Sequence, residues 1–142
     1  MNTFDSVIKQ LFSLKNTIDL KSFNLEHTAS LAKALLFPES KFPSVHIAGT
    51  NGKGSVANKI EKALRLSGYK TGLFTSPHIT SYRERIKING QMISEEEVTK
   101  GLNLLFSLTK KLNIPPNFFS LTTLLGFMTF ASKKVDIAII ET

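Results

Sequence analysis

A chain of 142 residues, 42% of them apolar, is sized for one domain with a modest core, and the absence of cysteine excludes disulfides, thiolate metal sites and a cysteine nucleophile. Eighteen Lys and Arg against eleven Asp and Glu leave a formal charge of +7, which fits an anionic partner or a lysine-rich solvated surface. The basic residues are spread out, the densest group (Arg83, Arg85, Lys87) is broken by Glu84, and no arginine-rich arm appears, so no nucleic-acid partner is expected. The N-terminus lacks a signal-peptide pattern and no apolar run approaches the ~20 residues that span a bilayer, so a cytoplasmic protein with no membrane partner is expected.

Phe4, Val7, Ile8, Leu11 and Phe12 follow helical spacing and predict an amphipathic helix over residues 3–14. A polar stretch with two isolated aliphatics, Ile18 and Leu20, follows; these read as core pegs or as one wall of an apolar pocket. Asn24 is a good N-cap for a second helix with Leu25, Ala29, Ala32, Leu35 and Leu36 on one face. The Phe37-Pro38 to Phe42-Pro43 region stops it.

Val45–Ala48 predicts a first strand, which ends abruptly in Gly49-Thr50-Asn51-Gly52-Lys53-Gly54-Ser55. A helix over residues 53–67 starts at once behind it, with Val56, Ile60, Ala63 and Leu64 inward and Gly68 as its C-terminal stop. Strand, glycine turn and helix N-terminus together make a phosphate cradle. Backbone N–H groups converge on an anion, the helix contributes the positive end of its dipole, and Lys53 adds a full charge. Glycine is needed where a side chain would block approach or where φ is positive. The stretch reads as a nucleoside triphosphate site.

A second strand is expected over residues 70–75, broken by Pro77. Arg85–Ile88 alternates, Asn89-Gly90 is a hairpin dipeptide, and Met92-Ile93 returns, which predicts a small β-hairpin projecting from the sheet. Ser94 with Glu97 forms a capping box for a helix carrying Val98, Leu102, Leu105, Phe106 and Leu112. After a proline loop, residues 118–132 are apolar on nearly every side and predict a buried helix. Val135–Ile140 is a β-branched run of the kind found in parallel strands covered on both faces. The order of elements predicts an α/β fold, a mainly parallel sheet flanked by helices. A buried parallel strand that ends at Glu141-Thr142 points to the front part of a longer protein and an incomplete domain, with this strand at an open edge exposing apolar surface.

The general phosphate-loop pattern G-x-x-x-x-G-K-[ST] does not fit, since Ile47 stands where its first glycine belongs and Gly54 separates Lys53 from Ser55. This argues against a small-metabolite kinase. The variant Gly49–Ser55 instead resembles the ATP loop of the folylpolyglutamate synthase/dihydrofolate synthase family, within the Mur-ligase superfamily. Asn16–Leu20, Thr75-Ser76-Pro77-His78, Glu84-Arg85-Ile86, Ile88-Asn89-Gly90 and Val135–Glu141 resemble further family segments, in the same order.

The resemblance implies a P-loop NTPase-like fold, the Mur-ligase central domain, with residues 1–142 its N-terminal portion. It also implies a reaction: ATP-dependent, ADP-forming addition of L-glutamate to dihydropteroate or folate through an acyl phosphate. Asn51, Gly52, Lys53, Gly54 and Ser55 would hold ATP, with Lys53 at the β/γ side and acting in catalysis. Ser76 and Glu141 would bind Mg²⁺. Ile18, Asp19, Leu20, Arg85, Asn117, Phe118, Phe119 and Ser120 would line the substrate site, with Phe119 on the pterin ring. Read without the resemblance, Lys53 is a surface lysine, Ser76 a turn serine, Glu141 solvated charge, Phe119 a core residue, and Arg85 a partner of Glu84 or solvent.

Ser120 departs from the family, which commonly has Glu there. The family's later Gly-rich turn, histidine metal ligand, carbamylated lysine and glutamate-binding C-terminal domain are not among these residues, so the 142 residues alone are expected not to turn over. The full-length form is expected to be a monomer. The alternative is a non-catalytic remnant or nucleotide-binding module that needs a separate second half.

Overall fold

A computed structural model describes residues 3–17 and 24–142. In chain order the elements are α1 (Phe4–Ser13), α2 (Leu25–Ala34), β1 (Ser44–Ile47), α3 (Lys53–Leu66), β2 (Thr71–Phe74), β3 (Ile86–Ile88), β4 (Gln91–Met92), α4 (Glu95–Leu112), α5 (Phe118–Lys133) and β5 (Ile137–Glu141). They form two compact units, Met1–Pro38 with Glu95–Met128, and Glu39–Ser94 with Thr129–Thr142.

The first unit is helical. Thr3 caps α1 by accepting from the Ser6 amide, and Asn24 caps α2 by accepting from the Glu26 amide at 2.8 Å, as its sequence position predicts. Val7 and Leu11 of α1, Val98, Leu102 and Leu105 of α4, and Leu121, Leu124 and Leu125 of α5 are fully or almost fully buried. Helix α2 differs from expectation. Its buried residues are Leu31 and Ala32, whereas Leu25, Ala29 and Leu36 face solvent. The helix ends at Ala34, and Leu36 and Phe37 both adopt positive φ, at 60° and 53°, which takes them off the helical stripe.

The second unit carries a five-stranded sheet in the order β1-β5-β2-β3-β4. β5 is parallel to β1 and to β2, with Val45 and Leu73 both opposite Ile139. β5 is therefore central, and the expectation of an open edge at the last strand is corrected. β3 is antiparallel to β2, so the hairpin continues the sheet rather than projecting from it, and the whole is a mixed sheet. Asn89 and Gly90 have φ of 48° and 76°, the pair of left-handed residues that a two-residue hairpin turn requires.

Helix α3 covers one face, where Ala57 packs with Leu73 and Ile139 and is joined by Ile47, Ile60 and Leu64. Each fully buried aliphatic side chain there contributes about 1.5–3 kcal/mol. Val56 and Ala63 are exposed, not inward, because the buried stripe is turned by one residue to Ala57 and Glu61. Gly68 has φ of 94°, and the Tyr69 amide donates to the Leu64 carbonyl, so the helix stop is the one expected. Gly72 points to the opposite face from Leu73. There the Phe130 ring, edge-on to Phe42 at 5.6 Å, occupies the space of its missing Cβ.

Glu61 is an acid on the buried face, 4% exposed. It accepts from Thr71 Oγ1 at 2.6 Å and from Arg65 Nε at 2.9 Å, which satisfies a carboxylate that would otherwise be costly to bury. Asn89 Oδ1 accepts from the Thr71 amide, and the Asn89 amide donates to the Thr71 carbonyl. The C-terminal half of α3, the start of β2 and the hairpin turn are thus held together by polar groups.

Between β2 and β3 the chain makes a loop closed at its base by the Thr75 amide donating to the Arg85 carbonyl. Its centre is a carboxylate. Glu84 accepts from the amides of Ile79, Thr80 and Ser81 at 2.9, 2.8 and 2.6 Å. Ser81 and Glu84 form a capping box on the 3₁₀ turn Tyr82–Arg85. These backbone donors hold the Glu84 carboxyl well below its ordinary 4.5, at about 2.

Packing and the Glu84 carboxylate each lead to a measurable outcome. Gly72→Ala drives a Cβ into the buried Phe130 ring and costs about 1–3 kcal/mol, read as a lower urea midpoint at unchanged slope. Gly101→Ala of α4 meets only the end of the Leu125 side chain, which can turn aside, and gains helix propensity, so it costs less. The opposite order of the two midpoints would refute this packing. For Glu84 the folded pKa is depressed, so its contribution is present above 4.5 and fades as pH falls toward 2. Hydrogen exchange of the Ile79, Thr80 and Ser81 amides should therefore accelerate, beyond its intrinsic pH trend, only in that window; protection that persists below pH 2 would contradict the assignment.

Candidate functional site

The parallel strands β1, β5 and β2 end side by side, and the chemistry-bearing groups of the second unit gather at these C-terminal ends. Ile47 is opposite Glu141 in the sheet, and the Thr142 amide donates to the Ile47 carbonyl. The glycine turn therefore leaves β1 beside the end of β5. Such strand ends in open α/β sheets are where ligands bind.

The turn is built as the sequence predicts. Gly49 has φ of 148°, and Gly52, the residue before α3, has φ of 76°, conformations that favour glycine. Gly52 makes no side-chain cap, so the first turn of α3 presents its N–H groups to any anion that enters. A Cβ added at Gly52 or Gly54 would meet nothing within 4 Å. Packing within the protein thus does not explain Gly54. Lys53 Nζ donates to the Gly49 carbonyl at 2.8 Å, folding the side chain back over its own loop. Asn51, Gly52 and Ser55 are exposed, and Lys53 and Gly54 are half-buried. Asn58 Nδ2 donates to the Gly54 carbonyl at 2.7 Å and steadies the first helical turn.

Ser76 and Glu141 are brought together. The Glu141 side chain is 3% exposed and accepts from the Ser76 amide at 2.7 Å. The Glu141 carboxylate and the hydroxyl that Ser76 carries are hard oxygen donors of the kind that suit Mg²⁺. Among the described residues, no group of three or more His, Asp or Glu side chains forms a metal cluster, so retained waters or phosphate oxygens would complete any such shell.

Arg85 is 7% exposed. Its Nε donates to His78 Nδ1 at 2.7 Å, and its Glu84 neighbour is engaged with backbone amides instead, so the Arg85–Glu84 pairing read from the sequence is replaced by an Arg85–His78 bond. With Nδ1 accepting, neutral His78 carries its proton on Nε2. Burial pulls the Arg85 guanidinium below its usual value, while Tyr82 and Glu141 act the other way. The exposed His46 makes a 2.6 Å hydrogen bond between Nε2 and Thr142 Oγ1.

The remaining expected residues belong to the first unit or lie outside the described residues. Asn117 Oδ1 accepts from the Phe119 and Ser120 amides at 3.0 and 3.2 Å, so it caps α5. Phe118 stacks on Phe12, with Lys15 Nζ over both rings. Phe119 is 50% exposed, against its reading as core. Ser120 is buried and shares a 2.8 Å hydrogen bond with Thr28. Ile18, Asp19 and Leu20 lie outside the described residues.

Sequence reasoning missed Glu61 and the central role of Glu84. Both left signals: a charged residue on the inward stripe of α3, and the S-x-x-E spacing of Ser81 and Glu84.

No protein-family model matches the chain. Curated relatives do. The chain is 43% identical over 103 residues to a mitochondrial folylpolyglutamate synthase of Bos taurus, covering 68% of this chain and 18% of that protein. It is 42% identical over 110 residues to a dihydrofolate synthase/folylpolyglutamate synthase of Bacillus subtilis, covering 74% and 26%. Among solved structures, the folylpolyglutamate synthase of Thermotoga maritima superposes with a TM-score of 0.87 at 36% identity over 97% of this chain and 32% of that one. An FPGS–AMPPCP–folate complex superposes with a TM-score of 0.89 at 28% identity over 99% and 35%. The chain thus spans about a fifth to a third of the length of the proteins it matches. In sequence and in fold alike, it belongs to the folylpolyglutamate synthase/dihydrofolate synthase family, of whose members it represents a part.

Proposed function

We propose that the chain is the N-terminal portion of the ATP-binding domain of a ligase that joins L-glutamate to dihydropteroate or folate. The observation that carries this is the Gly49–Ser55 turn. Its N–H groups are open, Gly52 and Gly54 leave space on the ligand side, and Ser76 and Glu141 meet at the neighbouring strand ends. The bound AMPPCP and folate of the solved relative support the choice of ATP and of a pteridine substrate.

In this reading the amides from Asn51 to Ser55 hold the phosphates. Lys53 leaves the Gly49 carbonyl and turns to the β/γ oxygens, where its charge offsets what develops during transfer. The substrate carboxylate attacks the γ-phosphorus, the bond to the bridging oxygen breaks and ADP leaves. The glutamate amine then attacks the acyl carbon, loses a proton and expels phosphate. Ser76 and Glu141 would hold Mg²⁺, which when bound would supply positive charge to offset that of the phosphates. The chain's own task is positioning and exclusion of water. Phe119, half exposed at the start of α5, would stack on a pteridine ring in this reading.

Titration of ATP with Mg²⁺ into the chain tests the first half of this reading. Lys53→Ala should weaken binding roughly 10- to 100-fold, the worth of one hydrogen bond to a charged group. No binding by the wild type, or equal binding by the variant, would sink the reading. Phe119→Ala tests the second half. It should change stability by no more than about 0.5 kcal/mol and weaken dihydropteroate or folate about three- to tenfold; unchanged affinity for both would remove Phe119 from the substrate site.

A further inference from the structure

The Thr75–Arg85 loop starts one residue before Ser76 and ends at Arg85, so its shape bears on the Ser76–Glu141 pair. What holds that shape is unusual. Pro77, Ile79 and Thr80 are exposed, Ile79 at 93%, so burial of apolar surface does not fix the tip of the loop, although His78 packs edge-on to the buried Tyr82 at its base. Polar tethers remain: the Thr75–Arg85 bond at the base, the Ser76 amide on Glu141, Arg85 on His78, and three consecutive amides on the one carboxylate of Glu84.

Glu84 can serve as an anchor because its own base is rigid. It sits in the 3₁₀ turn Tyr82–Arg85, where Tyr82 and Arg85 are buried and Arg83 Nε donates to the Ile93 carbonyl at 2.6 Å. Thr75 Oγ1 also reaches the Glu84 carbonyl, at 3.5 Å. Side chain and main chain of one residue thus meet both the tip and the start of the loop. Bonds from N–H groups to an ionised carboxylate are among the stronger hydrogen bonds available.

We propose that Glu84 is a positioning residue for the cation half of the site: its carboxylate gathers the amides of residues 79–81 and so fixes the loop on which Ser76 and His78 stand. This rests on the ATP-dependent reading above. Groups that orient ligating residues without touching the ion act on metal affinity more than on ligand shape. Glu84 should therefore govern how much Mg²⁺ improves nucleotide binding, and leave metal-free binding to the glycine turn alone.

The test is calorimetric titration of ATP into the chain, with Mg²⁺ and with EDTA, for the wild type, Glu84→Gln and Ser81→Ala. Gln has the size of Glu but a single acceptor oxygen, so it cannot receive all three amides. The expected result is an Mg²⁺ enhancement reduced about tenfold in Glu84→Gln, with EDTA affinities within about twofold and the Ser76 and His78 amide resonances displaced. Ser81→Ala, which keeps the carboxylate tethers, should retain the enhancement. If Glu84→Gln does not fold, Glu84→Asp, which keeps the charge but shortens the reach, takes its place with the same expectation. An undiminished enhancement with resonance changes confined to residues 79–81 would reduce Glu84 to local structure and overturn the proposal. A wild type that binds ATP equally with and without Mg²⁺ would also overturn it. Failure of the wild type to bind ATP at all would instead bring down the parent reading, and this inference with it.

Discussion

An anion can be held by backbone amides only if those amides are left without other partners and their carrier does not move. The first turn of α3 meets the first condition because Gly52 precedes it in a left-handed conformation and offers no cap. The rest of the second unit supplies the second condition. Ala57 seats the helix on Leu73 and Ile139, and one turn on Glu61, bonded also to Arg65 of the same helix, ties it to Thr71. A helix with one end open for binding is thus fixed by apolar contact in its middle and by buried polar bonds beyond it. The division is physically sensible: the open end carries a conformational and solvation cost that packing elsewhere offsets.

The same logic recurs across the sheet. Glu141 ends a central strand whose residues are almost all buried, so its carboxylate is placed by the sheet rather than by a loop. Ser76 stands just past β2, one strand over, and reaches Glu141 through its amide. Three parallel strands therefore bring the glycine turn, a carboxylate and the start of the Ser76 loop to one edge. The chemistry is placed by rigid elements, which hold geometry better than loops do.

Much of this was legible in the sequence because its signals are local. Asn24, Gly68 and Asn89-Gly90 occupy positions where only a few residue types work, and each is found in its expected role. The Gly49–Ser55 turn was legible for the same reason. What was hidden is non-local. The position of β5 between β1 and β2 depends on pairing across most of the chain, and no spacing rule encodes it. The buried stripe of α3 was displaced because Glu61 is buried by partners, Thr71 and Arg65, that hydropathy does not weigh. Leu36 left its helical face because two consecutive residues take left-handed conformations that neither Leu nor Phe advertises.

The central place of β5 also sets the order in which this fold can assemble. β1 and β2 do not pair with one another; each pairs with β5, so Ser44 must find Ala138 across about two thirds of the chain. The antiparallel contacts of β2 with β3 and of β3 with β4 close over short stretches and come at small entropic cost. The parallel half must wait for β5. Among the described residues β1 pairs with β5 alone, so until β5 arrives β1 has no register and the glycine turn that follows it is not held in place. The geometry of the glycine turn is thus tied to a strand pairing between residues far apart in the sequence.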